Sequence, residues 1–247
     1  MQDKNYIETF TLRTCDCDMR GAWRPSAILE AMQETAIAHC DKLNLGRNVT
    51  DSLGVAWVLS RSRVALERLP HIGEAVSVET YPLPLKHLFY PRMNTFRGAD
   101  GEVIGHAHSL WVLIDLSTRR IVSNETIVSR LPDNSDLAAP IPGPATVRAL
   151  PGEAEAHEVA PRFTDFDING HVNNTKYLDW CLNALGLETM RAWELRQFDV
   201  NYEAEILPDA AVVRTELTRA GERFACLGSA DGKRSFAVGG TLSPREP

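Results

Sequence analysis

An internal repeat constrains the fold of this chain more than any other feature of its sequence. An Arg-x-x-Asp-x-Asp-x-x-Gly pattern runs from Arg13 to Gly21 and again from Arg162 to Gly170, an offset of 149 residues (162 − 13). At the same offset Leu29 aligns with Leu178, each on a segment with helical spacing of apolar residues. The repeat indicates a duplicated unit rather than one large domain.

Each copy follows the same order of predicted elements, and the first copy begins with an alternating strand over Tyr6–Arg13. Ser26 is expected to cap a helix with an apolar stripe that closes near Leu45 and Gly46. Segments of strand character follow it, with a Gly98–Gly101 hairpin loop among them. These predicted strands are Val55–Leu66, Ala75–Pro82, His87–Arg97 and Val103–Asp115. The pattern predicts an α+β unit in which one antiparallel sheet wraps around one helix.

The second copy repeats this order after a change of composition. Residues 132–152 contain five prolines, together with Ser, Asp and Gly, and lack periodicity, which predicts a semi-extended linker on the surface. An extended segment to Phe163, a polar loop and a helix over 174–185 follow, with Asn173 or Asn174 as N-cap and Gly186 as the stop. The remaining predicted strands are Trp193–Glu205, Ala211–Ala220, Arg223–Ser229 and Ser235–Leu242. We therefore expect domains at 1–131 and 153–247.

Composition narrows the classes of function. A formal net charge of −7 argues against a nucleic-acid partner, and no apolar run approaches a membrane span. Five cysteines without metal-ligand spacing indicate free thiols in the cytoplasm, and the first residues lack a signal-peptide layout. No cofactor or metal is expected.

The polar loop of the second copy carries the candidate chemistry. Asp167, Asn169 and His171 are spaced two apart, with Gly170 before the histidine. The first part of this loop fits a calcium-binding pattern, but the position of its bidentate glutamate is Lys176, which argues against calcium. At a helix N-terminus, free amides can polarise a carbonyl while carboxylate and imidazole groups activate water. The same residues could instead cap the helix and fill a crevice.

The stretch Asp167-x-Asn169-x-His171-Val-Asn-Asn-x-x-Tyr177 resembles the active-site segment of acyl-ACP thioesterases, plant and bacterial enzymes built from two hot dog domains. The resemblance implies a tandem hot dog fold and hydrolysis of fatty acyl-ACP in fatty acid biosynthesis. It also implies an acidic residue in a Tyr-x-x-Glu context, which Tyr202 to Glu205 match, with Glu203 as the fallback. Ile206 occupies a cysteine position of the plant pattern, which disfavours a covalent cysteine mechanism.

From this resemblance we expect Asp167, Asn169, His171 and Glu205 to be catalytic, with either Asp167 or Glu205 as the base. Backbone amides of Gly170 and Val172 are expected to bind the oxyanion. The non-catalytic first copy is expected to form the acyl-chain pocket. The alternatives are an acyl-CoA thioesterase of the same fold and a non-catalytic acyl-binding protein.

The expected partner is acylated acyl carrier protein, bound by a monomer of tandem domains or a homodimer. Because the carrier is acidic and this chain is also acidic, docking requires a local basic patch. The candidates for that patch are Arg61, Arg63, Lys86, Arg92, Arg119 and Arg120.

Overall fold

The computed structural model describes residues 3–210 and 212–245. The chain divides into two compact units, Met1–Pro144 and Ala145–Pro247. Within the described ranges, no helix combines the length and the apolar character that crossing a bilayer demands.

The first unit is an antiparallel sheet packed against one long helix. The sheet has the order β1-β3-β4-β5-β2, and β6 pairs with the outer part of β5. Its strands are β1 (Tyr6–Thr11), β2 (Val55–Leu66), β3 (Ala75–Pro82), β4 (Tyr90–Arg97), β5 (Val103–Asp115) and β6 (Ile121–Val122). Its helices are α1 (Pro25–Lys42), α2 (Arg47–Ser52) and α3 (Glu125–Arg130). The predicted strands are confirmed, and β2, β3 and β5 keep their predicted bounds.

Helix α1 supplies the apolar layer that covers this sheet. Ile28, Leu29, Met32 and Ala36 are buried, as their i, i+3, i+4 spacing predicts. The predicted cap at Ser26 is wrong. The helix begins at Pro25, a favourable first helical residue because proline lacks the N–H that would stay unpaired there, and Ser26 is buried inside the first turn.

The second unit repeats the same sheet order, β7-β9-β10-β11-β8, again with antiparallel pairs. Its strands are β7 (Glu155–Val159), β8 (Trp193–Tyr202), β9 (Val213–Ala220), β10 (Arg223–Ala230) and β11 (Lys233–Pro244). Its helices are α4 (Lys176–Leu185) and α5 (Leu187–Ala192). Strand β8 ends at Tyr202, earlier than predicted, and Ala211 of the predicted third strand lies outside the described residues.

The proline-rich segment continues into the second unit as extended chain. The amide of Ala145 donates to Asp199 Oδ1 at 2.8 Å, and the amide of Val147 donates to Asn201 Oδ1 at 2.8 Å. The amide of Leu150 donates to Thr218 Oγ1 at 2.9 Å. Side chains of β8 and β9 therefore satisfy backbone donors that a segment without regular structure would otherwise leave to water.

Candidate active site

A short polar loop connects β7 to α4 and holds the predicted catalytic residues. A 3₁₀ turn at Phe163–Asp165 opens the loop. The amide of Asp167 then donates to the carbonyl of His171 at 3.0 Å, and the amide of Gly170 donates to the carbonyl of Asp167 at 3.0 Å. Gly170 has φ of +78°, a left-handed conformation that residues with a Cβ adopt only at a cost. The glycine therefore makes the turn that returns His171 to Asp167.

Within this loop the structure brings together Asp167, Asn169 and His171. The Asn169 amide donates to Asp167 Oδ1 at 2.8 Å, and Asn169 Nδ2 donates to Oδ2 at 3.3 Å. His171 Nδ1 lies 3.8 Å from Asp167 Oδ1 and 3.3 Å from the carbonyl of Val172. The Asp167 and His171 side chains are 17% and 26% exposed, so both remain accessible to a substrate.

Glu205 lies just beyond β8, where the chain passes the same loop. The amide of Val172 donates to the carbonyl of Ile206 at 2.9 Å, which joins the segment that follows Glu205 to the loop of His171. Glu203, the fallback, lies 3.9 Å from Arg234 in an exposed ion pair. The backbone geometry therefore favours Glu205 as the carboxylate of this loop.

Tyr177 on α4 is a member of this site to which sequence reasoning assigned no role. Its ring is buried and stacks on Phe236 at 4.4 Å between centroids. Burial raises the pKa of the Tyr177 hydroxyl, and the nearby carboxylates of Glu205 and Asp167 raise it further, while a hydrogen bond with the Ile206 backbone acts in the opposite direction. The phenol thus stays protonated close to both carboxylates. The sequence did carry a signal for this role, because Tyr177 is the last residue of the Asp167 to Tyr177 motif and lies at the start of the helix that follows the loop.

The backbone amides of Gly170 and Val172, which were predicted to bind the oxyanion, already donate to protein carbonyls in this structure. Both amides are already engaged, by the carbonyls of Asp167 and Ile206 respectively. Between them, the amide of His171 donates to no acceptor among the described residues. Of these three amides, the one at His171 is therefore available to a ligand oxygen.

The helix start is also capped differently from the prediction. Helix α4 begins at Lys176, and Asn173 lies outside it. Asn173 Oδ1 accepts from the Thr175 amide at 3.0 Å and from Thr175 Oγ1 at 2.9 Å. Of the two asparagines, Asn173 therefore satisfies a backbone donor just before the helix.

The first unit contains the same loop without the predicted catalytic groups. The Asp18 amide donates to the carbonyl of Ala22 at 2.8 Å, the counterpart of the Asp167–His171 bond, and Gly21 has φ of +77°. The Trp23 amide donates to the carbonyl of Pro70 at 2.8 Å, as Val172 does to Ile206.

These matched hydrogen bonds identify the residues that replace the catalytic groups. Buried Leu69 stands where Glu205 stands, and buried Ile28 where Tyr177 stands. Ala22 replaces His171, and Arg20 replaces Asn169. Arg20 Nε donates to Asp18 Oδ2 at 2.8 Å, so this carboxylate is neutralised within its own loop.

No cluster of three or more histidine, cysteine, aspartate or glutamate side chains is arranged to hold a metal ion in the described parts of the chain.

The chain matches two family models in sequence order. Residues 3–129 match the acyl-ACP thioesterase N-terminal domain, and residues 149–231 match the acyl-ACP thioesterase C-terminal domain. The first match alone covers 127 of the 247 residues.

The chain belongs to the acyl-ACP thioesterase family. Among curated members, the chloroplastic palmitoyl-acyl carrier protein thioesterase of Gossypium hirsutum is 26% identical over 227 residues, covering 84% of this chain and 53% of that protein. The chain thus spans about half the length of these curated relatives.

Solved structures of acyl-ACP thioesterases share the fold along the whole chain. An acyl-ACP thioesterase from Bacteroides thetaiotaomicron is 23% identical with a TM-score of 0.87, covering 97% of this chain and 98% of that chain. The 12:0-ACP thioesterase from Umbellularia californica is 24% identical with a TM-score of 0.84, covering 99% of each chain. The α+β tandem hot dog fold is therefore confirmed.

One basic residue expected to dock a carrier protein cannot do so in this member of the acyl-ACP thioesterase family. Arg92 is only 6% exposed and faces α1 in the interior of the first unit. Lys86, Arg119 and Arg120 are exposed.

Proposed function

We propose that this chain hydrolyses the thioester of fatty acyl-ACP and releases free fatty acid. One observation carries the proposal: Asp167, Asn169 and His171 gather in one loop, beside the segment of Glu205, in one of two otherwise matching units. The other unit keeps the loop geometry but replaces Glu205 with leucine and His171 with alanine. A loop kept only for structure would not need these polar groups, whereas water activation does.

The geometry supports different roles for the two carboxylates. Both oxygens of Asp167 accept hydrogen bonds from Asn169, so we assign Asp167 to hold Asn169 and His171 in place. We assign Glu205 as the general base, because it is exposed at the edge of this loop.

In the proposed reaction Glu205 removes a proton from water while the water oxygen attacks the thioester carbonyl carbon. The developing oxyanion accepts from the His171 amide, the unengaged donor in the loop, and such donors stabilise negative charge strongly in a site that excludes water. The carbon–sulfur bond then breaks. The thiolate of the carrier's prosthetic arm leaves and takes a proton from the protonated His171 side chain, and the acyl group leaves as a carboxylic acid. Glu205 then gives the proton that it took from water back to His171, which restores both groups.

We assign catalysis to residues 153–247 and the holding of the acyl chain to residues 1–131. The carrier is the partner, and five free thiols support a reducing cytoplasmic setting.

Steady-state hydrolysis of matched acyl-ACP and acyl-CoA substrates tests the proposal. Asp167→Ala and Glu205→Ala should each lower kcat/KM by about 10²–10⁴-fold. Glu203→Ala is the matched control, since it removes an exposed carboxylate two residues away and should leave kcat/KM unchanged. Turnover near wild type in both site variants would refute the assignment, and a preference for acyl-CoA would favour the CoA-directed alternative.

A further inference from the structure

Arg92 on β4 is a buried cation that has no carboxylate partner in the part of the chain that the structure describes. Its Nη1 lies 3.1 Å from His39 Nδ1 and 3.3 Å from Thr80 Oγ1, and its Nη2 lies 3.7 Å from Cys40 Sγ. Among residues 3–210 and 212–245, no carboxylate lies within ion-pair distance of this guanidinium. Buried charges in proteins are normally paired, because the interior solvates them poorly.

His39 on α1 does not compensate this charge. Its Nε2 lies 3.1 Å from the carbonyl of Asp3, an acceptor, so Nε2 carries the proton and Nδ1 accepts from Arg92. Burial, and after it the positive charge of Arg92, lowers the pKa of His39 to about 4. The imidazole is therefore neutral, and the guanidinium keeps its full charge.

Further polar side chains lie on the same face of the sheet as Arg92. Ser109 and Ser62 follow Arg92 in register across β5 and β2, and Asn94 pairs with Thr80 across β4 and β3. All are buried. Ser62 Oγ and Asn94 Oδ1 have no hydrogen-bond partner within residues 3–210 and 212–245, although buried polar atoms almost always find one. We call Thr80, Arg92, Asn94, Ser109 and Ser62 the polar row.

The hot dog sheet itself does not require a polar row. In the second unit the matching positions across β10, β11 and β8 are Phe224, Gly240 and Phe198. The positions matching Asn94 and Thr80 are Cys226 and Leu217. All five are apolar residues or glycine, so the same architecture forms around a hydrocarbon interior. The polar row is a property of the first unit alone.

We propose that the polar row is a binding site for the carboxylate of an aliphatic ligand. A carboxylate at Arg92 supplies the missing negative charge and accepts charge-assisted hydrogen bonds from the guanidinium. Asn94 and Ser62 provide further polar contacts. Val78 and Val64 lie on the same face and are fully buried, so the surroundings of the polar row are hydrocarbon. This proposal rests on the proposed function, in which the first unit holds the acyl chain. It adds that the aliphatic chains bound there carry a carboxylate.

Calorimetric titration of the full chain with decanoate and with decan-1-ol, a neutral ligand of the same chain length, tests the site. The wild type should bind decanoate at least ~10-fold more tightly, as expected for a hydrogen bond to a charged group. Arg92→Met should abolish this preference. Glu205→Ala should retain it, which separates this site from the catalytic loop. Equal binding of both ligands by the wild type, no binding of either, or an unchanged preference in Arg92→Met would overturn the proposal.

Thermal unfolding shows whether each variant is folded before its binding is compared. Arg92→Met removes an uncompensated buried charge at similar volume, so its Tm without ligand should not fall below that of the wild type. Decanoate should raise the Tm of the wild type and not that of Arg92→Met. Thr80→Val keeps the charge but loses one hydroxyl, and should weaken decanoate binding less than Arg92→Met does.

Kinetics distinguish the two sources of such a carboxylate. If the carboxylate belongs to the far end of the acyl chain, an ω-carboxynonanoyl thioester should be hydrolysed faster than the decanoyl thioester, and this preference should vanish in Arg92→Met. If it belongs to free fatty acid, the two thioesters should react alike while decanoate still binds. Because the titrations do not need turnover, a failure of the proposed hydrolysis leaves them interpretable.

Discussion

Acidification should destabilise this protein through His39. The imidazole is fully buried on α1, accepts from Arg92 through Nδ1 and donates to the carbonyl of Asp3 through Nε2. Protonation would put a second positive charge beside Arg92 and remove the acceptor that Arg92 uses. The folded state therefore holds His39 neutral, whereas the unfolded chain lets it protonate at its ordinary pKa.

The magnitude follows from the two pKa values. The pKa of His39 falls from the ordinary 6.5 to about 4 in the folded protein. Because the folded pKa is depressed, the unfolded state binds more protons between these values, and the free energy of unfolding falls as pH drops through this window. At ~1.4 kcal/mol per pKa unit the full effect is about 3 kcal/mol, and about 2 kcal/mol of it is lost by about pH 5. Above about pH 7 the contribution of His39 to the free energy of unfolding no longer changes with pH.

Urea denaturation followed by tryptophan fluorescence measures this loss. The His39→Asn variant is the control, since its amide oxygen can accept from Arg92 but does not titrate in this range. Carboxylates contribute equally to both proteins, so the difference between their pH profiles isolates His39. If wild type and His39→Asn lose the same free energy of unfolding between about pH 7 and about pH 5, the reasoning is refuted.

Two further predictions concern the catalytic loop. Tyr177→Phe should keep the ring stack on Phe236 and the Tm but lower kcat by ~10-fold or more at similar KM, because the hydroxyl that contacts the Ile206 backbone close to Glu205 and Asp167 is lost. An unchanged kcat in steady-state kinetics would exclude this positioning role. Gly170→Ala should lower the free energy of unfolding by about 1–2 kcal/mol through backbone strain alone, since φ is +78° and an added Cβ meets no atom within 4 Å. An unchanged denaturation midpoint would contradict that estimate.

Most of the strands could be predicted because their signals are local. β2, β3 and β5 keep their predicted bounds, since β-branched and apolar residues alternate along them and Gly, Pro or Asp interrupts them at each end. The helices α2, α3 and α5 were missed. Each has only six residues, too few for an apolar period to show, and their formation depends on the surfaces beside them.

The sequence could predict which side chains lie in the candidate loop, but not which backbone N–H groups of the loop are free to bind a ligand oxygen. The loop motif names Asp167, Asn169 and His171. Whether a backbone amide of the loop is free depends on residues that are distant in sequence. The Val172 amide, for example, donates to the carbonyl of Ile206, 34 residues later (206 − 172). Spacing within a loop carries no information on such a contact.

The two units place their polar groups in opposite parts of the same architecture. In the second unit the loop before the helix carries Asp167, His171 and, from the neighbouring segment, Glu205, while the sheet face behind it is apolar. In the first unit the loop has lost these groups and the sheet face carries Arg92 and its polar neighbours.

A single substitution that introduces a carboxylate would not give the first unit hydrolytic activity. A glutamate in place of buried Leu69 would stand in a copy where Ile28 and Ala22 occupy the positions of the phenol and the imidazole, and burial would raise its pKa and keep it protonated. Catalysis in this architecture therefore depends on a combination of polar substitutions around one loop. The proposed carboxylate site would give the interior of the first copy a task of its own, and the buried charge of Arg92, which has no carboxylate partner among the described residues, supports that proposal.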